Sequence, residues 1–151
     1  MSRLICPTCG LIDHVDDPCV CHDEEPTQVD ARQEAAPMKI IYIAGSFTAS
    51  TAWDVERNVR RAEEAALEIA MLGAVPMCPH TMYRHFHGQG SPEFWYAATL
   101  ALLRRCDAVL FLRMSEYSVG TAQELTVASE TGMPIFYIDD GLAAVQKWIA
   151  A

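Results

Sequence analysis

No stretch of this sequence stays apolar long enough to span a membrane. The N-terminus reads "MSRLICPTCG" and then turns acidic, without the apolar middle of a secretory signal. There is no internal repeat. Basic residues are scarce: 11 Lys and Arg stand against 20 Asp and Glu, a formal net charge of −9. No basic stripe of the kind that grips a nucleic-acid backbone can be drawn, which argues against nucleic acid as a partner. A free nucleotide is a different matter, because a small anion needs only a local pocket. These absences lead us to expect a cytoplasmic protein with no membrane association. That compartment is reducing, so the 6 cysteines read as metal ligands or buried thiols rather than disulfides.

What the chain does have is apolar material. Its 151 residues are 51% hydrophobic, enough for one domain of ordinary size with a small appendage. The acidity is uneven. Residues 1–37 carry two Arg and eight Asp or Glu, and residues 38–151 carry nine Lys or Arg and twelve Asp or Glu. The excess charge therefore belongs mainly to the N-terminal tail. Residues 24–37, "EEPTQVDARQEAAP", hold a proline near each end and no apolar period, and so form an acidic linker. It separates a Cys-rich tip (1–23) from an α/β domain (38–151).

In that domain strand and helix alternate. "MKIIYIAG" (38–45) is a buried strand. The segment 54–73 is helical, with Val55, Val59, Ala62, Ala66 and Ile69 on one stripe, Thr51 and Asp54 spaced as a capping box, and Gly73 as the stop. Residues 74–79 form a short strand, 80–90 a loop, and 91–106 a helix with Pro92 in its first turn. A strand over 107–113, a loop, a helix over 121–132, a strand over 134–139 and a closing helix over 141–151 complete the order. Alternation with short links implies a parallel sheet of about four strands, helices on both faces and a flavodoxin-like, Rossmann-type winding. The first and third strands then lie side by side where the winding reverses. Ligands bind at such a switch point, outside the carboxyl ends of the strands.

Two polar turns border that point. Gly45 and Ser46 follow the first strand; Ser118 and Gly120 follow the third. Small residues and hydroxyls there let an anion approach backbone N–H groups at a helix start, although Gly and Ser are also ordinary turn residues. Glu124 falls in the first turn of the third long helix, where the macrodipole favours a charged carboxylate. Helix capping alone would explain it; so would a nucleophile that must stay ionised.

The stretches "IYIAGSFT" and "RRCDAVLFLRMSEYSVGTAQELTVASETGMPIFY" resemble the nucleoside 2-deoxyribosyltransferase superfamily across most of residues 39–138. The chain looks closest to an uncharacterised, often phage-encoded branch with a "YIAG" first strand and an "S-x-G-x-x-x-E" turn. It is also similar to nucleoside 5′-monophosphate N-glycosidases, and "GTAQEL" is similar to a run in cytokinin riboside monophosphate phosphoribohydrolases. All three groups act on N-glycosidic bonds. The resemblance implies that Glu124 attacks the anomeric carbon of a sugar and forms a glycosyl–enzyme intermediate. It implies that Ser46 and Ser118 hold a 5′-phosphate and that Tyr42 and Gly45 belong to the first-strand site. It further implies a homo-oligomer and no organic cofactor. Asn58 matches an Asn of the branch with no role assigned.

One position departs. Where the monophosphate hydrolases place an aspartate that assists the departing base, this chain has Thr99. General acid help is typically worth about 10²- to 10⁴-fold, so the role needs a substitute, and Glu93, His80, His85 and His87 are the candidates. Without one, the domain would be a nucleotide-binding sensor rather than an enzyme. The loop over 80–90 carries His80, Tyr83, Arg84 and Phe86, which would cover a base by stacking and bring Arg84 to a phosphate; Gly88 and Gly90 would let it move as a lid. Its three histidines have no spacing specific to a metal. Cys78 and Cys106 read as buried thiols, Trp95 and Tyr96 as helix core or a subunit contact, and Asp107 as a structural closure of the helix-to-strand turn.

The tip contains "CPTCG" and "PCVCH". Cys6, Cys9, Cys19 and Cys21 form the leading set for a structural Zn²⁺, with His14 or His22 able to replace a late cysteine. A segment so short has little core of its own, and a bound metal would supply its folding energy. Unliganded thiols are the alternative. Such a tip could also serve as an interaction scaffold.

Overall fold

A computed structural model of the chain describes residues 37–86, 88–112 and 118–151. The chain divides into Met1–Ala36 and Pro37–Ala151. The tip, its cysteine set and all of the linker but Pro37 lie outside the described residues, as does His87.

The second unit contains β1 (Ile40–Ala44), α1 (Ala52–Met71), β2 (Val75–Met77), α2 (Pro79–Met82), α3 (Pro92–Leu103), β3 (Ala108–Phe111), α4 (Val119–Glu130), β4 (Ile135–Tyr137) and α5 (Ala143–Ile149). The four strands form one sheet in the order β2-β1-β3-β4. All three pairings are parallel, and β1 meets β3 with Tyr42 opposite Val109 and Ala44 opposite Phe111. The expected α/β fold is therefore present, with its reversal between β1 and β3. Among the described residues, no helix is long and apolar enough to cross a membrane.

Strand alternation splits the core in two. Ile41, Ile43, Ala108 and Leu110 face α1 and α5, packing on Ala62, Ala66, Ile69 and Val145. Tyr42, Ala44, Val109 and Phe111 face the other way, packing with Leu103 of α3 and Val127 and Ala128 of α4. The stripe expected on α1 is the buried one: Val55, Val59, Ala62, Ala66 and Ile69 all lie inside. Ile69 is fully buried, and its truncation to Ala would cost about 2–5 kcal/mol. Thr51 caps this helix by accepting from the Asp54 N–H at 3.1 Å.

Asp107 has the structural role expected of it. Its carboxylate accepts from the Ile40 N–H at 2.7 Å, and its own N–H donates to the Ile40 carbonyl at 2.8 Å. The pair fixes the start of β3 against the start of β1. Cys78 and Cys106 are buried free thiols. Burial pushes the Cys106 thiol up to about 11 and raises Cys78 as well.

Several boundaries move inward, because terminal residues of an apolar run need not pair. The helix expected over 91–106 ends at Leu103. The expected 80–90 loop is partly helical, with α2 opening on Pro79 and a 3₁₀ turn at Arg84–Phe86. The helix expected over 121–132 starts earlier, at Val119, because Ser118 caps it by accepting from the Thr121 N–H at 3.2 Å.

Candidate functional site

That earlier start changes the position of Glu124. It lies in the second turn of α4, not the first, one turn along the inward stripe from Thr121 and one before Val127 and Ala128. A carboxyl in an apolar stripe must find a partner. Tyr42 supplies it, because strand alternation points that side chain to the same face of the sheet. The Tyr42 hydroxyl donates to Glu124 Oε1 at 2.6 Å. Glu124 Oε2 has no protein partner, and the residue is 7% exposed.

Burial decides the protonation of this carboxyl. It drives Glu124 up to about 7, and the Tyr42 hydrogen bond only partly opposes it. The expectation that the helix field keeps Glu124 ionised is thus corrected: the dipole acts within the first turn, and Glu124 is beyond it. Near neutrality the group is divided between its two forms. Tyr42 is held far above the usual phenol range, first by burial and then by the adjacent carboxylate, so it remains a hydrogen-bond donor.

Both side chains open onto a cavity of about 370 Å³ at the β1–β3 switch point, a volume suited to a small organic ligand. Gly45 and Phe47 after β1 form one side, and Ser118, Gly120 and Thr121 at the start of α4 form another. Tyr83, Phe86, Trp95 and Tyr96 supply an aromatic wall. Tyr83 and Trp95 have ring centroids 4.9 Å apart, and Phe86 lies 6.0 Å from Trp95. Trp95 also donates its indole N–H to the Gln89 carbonyl, joining α3 to the preceding loop. Gly120 lets Tyr96 come close, since a Cβ there would lie 3.1 Å from the Tyr96 ring and the ring would have to shift by a few tenths of an ångström.

His80 is the second buried polar group of the cavity. It is 4% exposed, its ring lies 5.9 Å from that of Phe47, and neither nitrogen has a protein hydrogen-bond partner. The Gly45 and Ser46 backbone sits beside it and favours the charged form, but burial dominates and lowers the imidazole to about 4. At neutral pH His80 is an uncharged donor and acceptor. An imidazole in that state has little of the cationic form that a replacement acid would use.

The other expected residues divide. Tyr42, Gly45, His80, Ser118, Gly120 and Glu124 line this one cavity, and Thr99 lines it as well. Ser46 does not. It borders a separate cavity of about 300 Å³ on the α1 side, with Asn58, Arg61 and Asp139. The two serines expected to share a phosphate thus open onto different cavities. Arg84 is not at the cavity either: its guanidinium pairs with Glu63 at 2.6 Å and with Glu56, both on α1. Glu93 is fully exposed and outside the lining, lowered by hydrogen bonds at the α3 start. His85 is also outside it.

Trp95 and Tyr96, read from sequence as core or subunit contact, line the cavity instead. The sequence signal for this was available. α3 reads "PEFWYAATLALL", with no polar face, yet Leu103 is its single buried residue. A helix apolar on all sides has more to cover than one sheet. Asn58, without a role in the sequence, donates to the Phe47 carbonyl at 3.5 Å and so ties α1 to the loop between the cavities.

Comparison with curated proteins gives no match. A family profile covers residues 39–138, from the start of β1 to the end of β4, and so takes in every described residue of the cavity. The chain accordingly belongs to the family described as Domain of unknown function (DUF7768).

Proposed function

We propose that the domain cleaves or exchanges the N-glycosidic bond of a nucleoside or a nucleoside 5′-monophosphate, with Glu124 as the nucleophile. One observation carries this reading. A buried carboxyl with a tyrosine donor on one oxygen and no protein partner on the other lines a nucleoside-sized cavity at the switch point. The resemblance in sequence supplies the chemistry, and the geometry is compatible with it.

In this reading Glu124 attacks C1′ of the sugar. The C1′–N bond breaks, and its electron pair leaves with the base. Tyr42 holds Oε1, which orients the carboxyl and favours its ionised form. The aromatic wall receives the base, and His80 offers a neutral hydrogen-bond partner. Water then takes the sugar, giving hydrolysis, or a second base takes it, giving exchange. A 5′-phosphate would meet Ser118 and the α4 N-terminus, without Ser46 or Arg84.

The test is a panel of nucleosides and 5′-monophosphates incubated with the full chain, with released base followed by chromatography. Wild type should release base and Glu124→Gln should not. Equal release by both proteins overturns the reading.

A second reading is a nucleotide sensor that binds without turnover. Thr99 in place of an acid and a Glu124 that is half protonated near pH 7 both favour it. Ligands that raise the melting temperature while no base appears would select it. The homo-oligomer implied by the resemblance belongs to the proposal too. Trp53, Leu67, Met71, Phe94 and Val119 are among the exposed apolar side chains it could cover. The structural Zn²⁺ proposed on Cys6, Cys9, Cys19 and Cys21, and the scaffold role of that tip, concern residues outside those described.

A further inference from the structure

The cavity joins three features that a neutral nucleoside does not explain together. Its wall is aromatic on four side chains, Tyr83, Phe86, Trp95 and Tyr96. Among the described residues that line it, Glu124 is the single carboxyl, and none is Lys or Arg. With Glu124 as the nucleophile, no other carboxylic acid remains among those residues to protonate a departing base, and Thr99 offers only a hydroxyl. Aromatic faces and a carboxylate attract positive charge, and do so more strongly when water is excluded. The lack of an acid bears on the departing base. A neutral purine or pyrimidine must gain a proton as it leaves, or depart as an anion. A base already alkylated on a ring nitrogen departs neutral and needs no acid.

We propose, building on the glycosidic reading, that the cavity takes nucleosides whose base carries a fixed positive charge, such as a pyridinium nucleoside or an N7-alkylated purine nucleoside. Glu124 forms a bond to C1′ as the C1′–N bond breaks. The electron pair of that bond neutralises the ring nitrogen, and the base leaves uncharged. Water then displaces the carboxylate from C1′, the sugar gains a hydroxyl, and one proton is released to solvent. The cationic ring also helps to ionise its own nucleophile, because a positive charge beside Glu124 opposes the effect of burial. His80 stays uncharged at neutral pH and does not repel the ring. Cleavage of a neutral base would lack this help and the acid as well.

The test compares matched substrates on the full chain at pH 7: 7-methylguanosine against guanosine, and a nicotinamide riboside arm beside them. Glu124-dependent kcat/KM should favour the cationic member of the pair by at least about 10²-fold, the usual worth of a general acid. Thr99→Asp, which restores an acid, should narrow that ratio at least tenfold. A binding arm needs no turnover. 1-Methylnicotinamide, a pyridinium cation, should quench tryptophan fluorescence with about tenfold higher affinity than neutral nicotinamide. Phe86→Leu should lose the preference, with Tyr83→Leu as the second variant should the first not fold. Equal cleavage of guanosine and 7-methylguanosine overturns this inference and leaves the glycosidic reading standing. Cleavage of neither, or cleavage that survives Glu124→Gln, overturns the glycosidic reading and with it the substrate class. Equal affinity for the two nicotinamides overturns the cationic preference of the wall in either case.

Discussion

Tyr42 and Glu124 stand 82 positions apart and share one hydrogen bond of 2.6 Å. That bond is the main influence holding the carboxyl down against burial. Tyr42→Phe should therefore move the acid limb of kcat/KM to higher pH and reduce activity at pH 7 by about 5- to 150-fold, given the roughly 1–3 kcal/mol cost of unpairing a buried group. In the wild-type protein that limb should centre near pH 7, with activity rising as Glu124 ionises. Stability runs the opposite way. Glu124 holds its proton to about 7 when folded but loses it in the ordinary carboxyl range when unfolded, so this group's contribution falls as pH rises between those values. His80, depressed to about 4, contributes stability that is present above its unfolded value and lost as pH falls toward 4. Glu124→Gln should consequently be more stable than wild type at pH 8, by about 1–3 kcal/mol in urea titration, with the difference shrinking toward pH 5. That Glu124 would lie at the switch point was legible in the strand–turn–helix order around the "S-x-G-x-x-x-E" spacing. Its protonation was not, because burial depends on Tyr42 and α3, which lie far away in the chain.

At the scale of elements, capping and ion pairing set the shape of the cavity. Ser118 caps α4 and also bonds the Thr121 hydroxyl at 3.1 Å. Ser118→Ala should lower stability by about 1 kcal/mol, measured by urea titration. Arg84 ties the turn that carries Tyr83 and Phe86 to Glu56 and Glu63 of α1. These side chains are partly exposed, so Arg84→Met should cost less than about 1 kcal/mol of stability. It should cost more in function: release of the wall should weaken ligand affinity several-fold and change Trp95 fluorescence. Strands and long helices were legible because their apolar periods are local patterns. The α1 stripe and its Thr51 cap are examples. The destination of Arg84 was not, since no local pattern reports partners 21 and 28 positions away. The division of Ser46 from Ser118 was hidden for the same reason. Two turns can border one cavity while a single side chain of one of them, Ser46, opens onto another.

At the scale of the whole molecule, the chain separates at residue 37. A fragment of residues 37–151 should fold with nearly the melting temperature of the full chain and retain its ligand response. The full chain should carry about one equivalent of zinc on the Cys6, Cys9, Cys19 and Cys21 set, and the fragment none, by elemental analysis. The linkage between the two units has a mechanical consequence. The chain passes from the first unit into β1, an interior strand bonded to β2 on one side and β3 on the other. A pull arriving from the N-terminal side would load both ladders lengthwise, the direction in which many bonds must break together. Tyr42 sits within that doubly held strand, so under such tension its spacing to Glu124 would be kept until both ladders part.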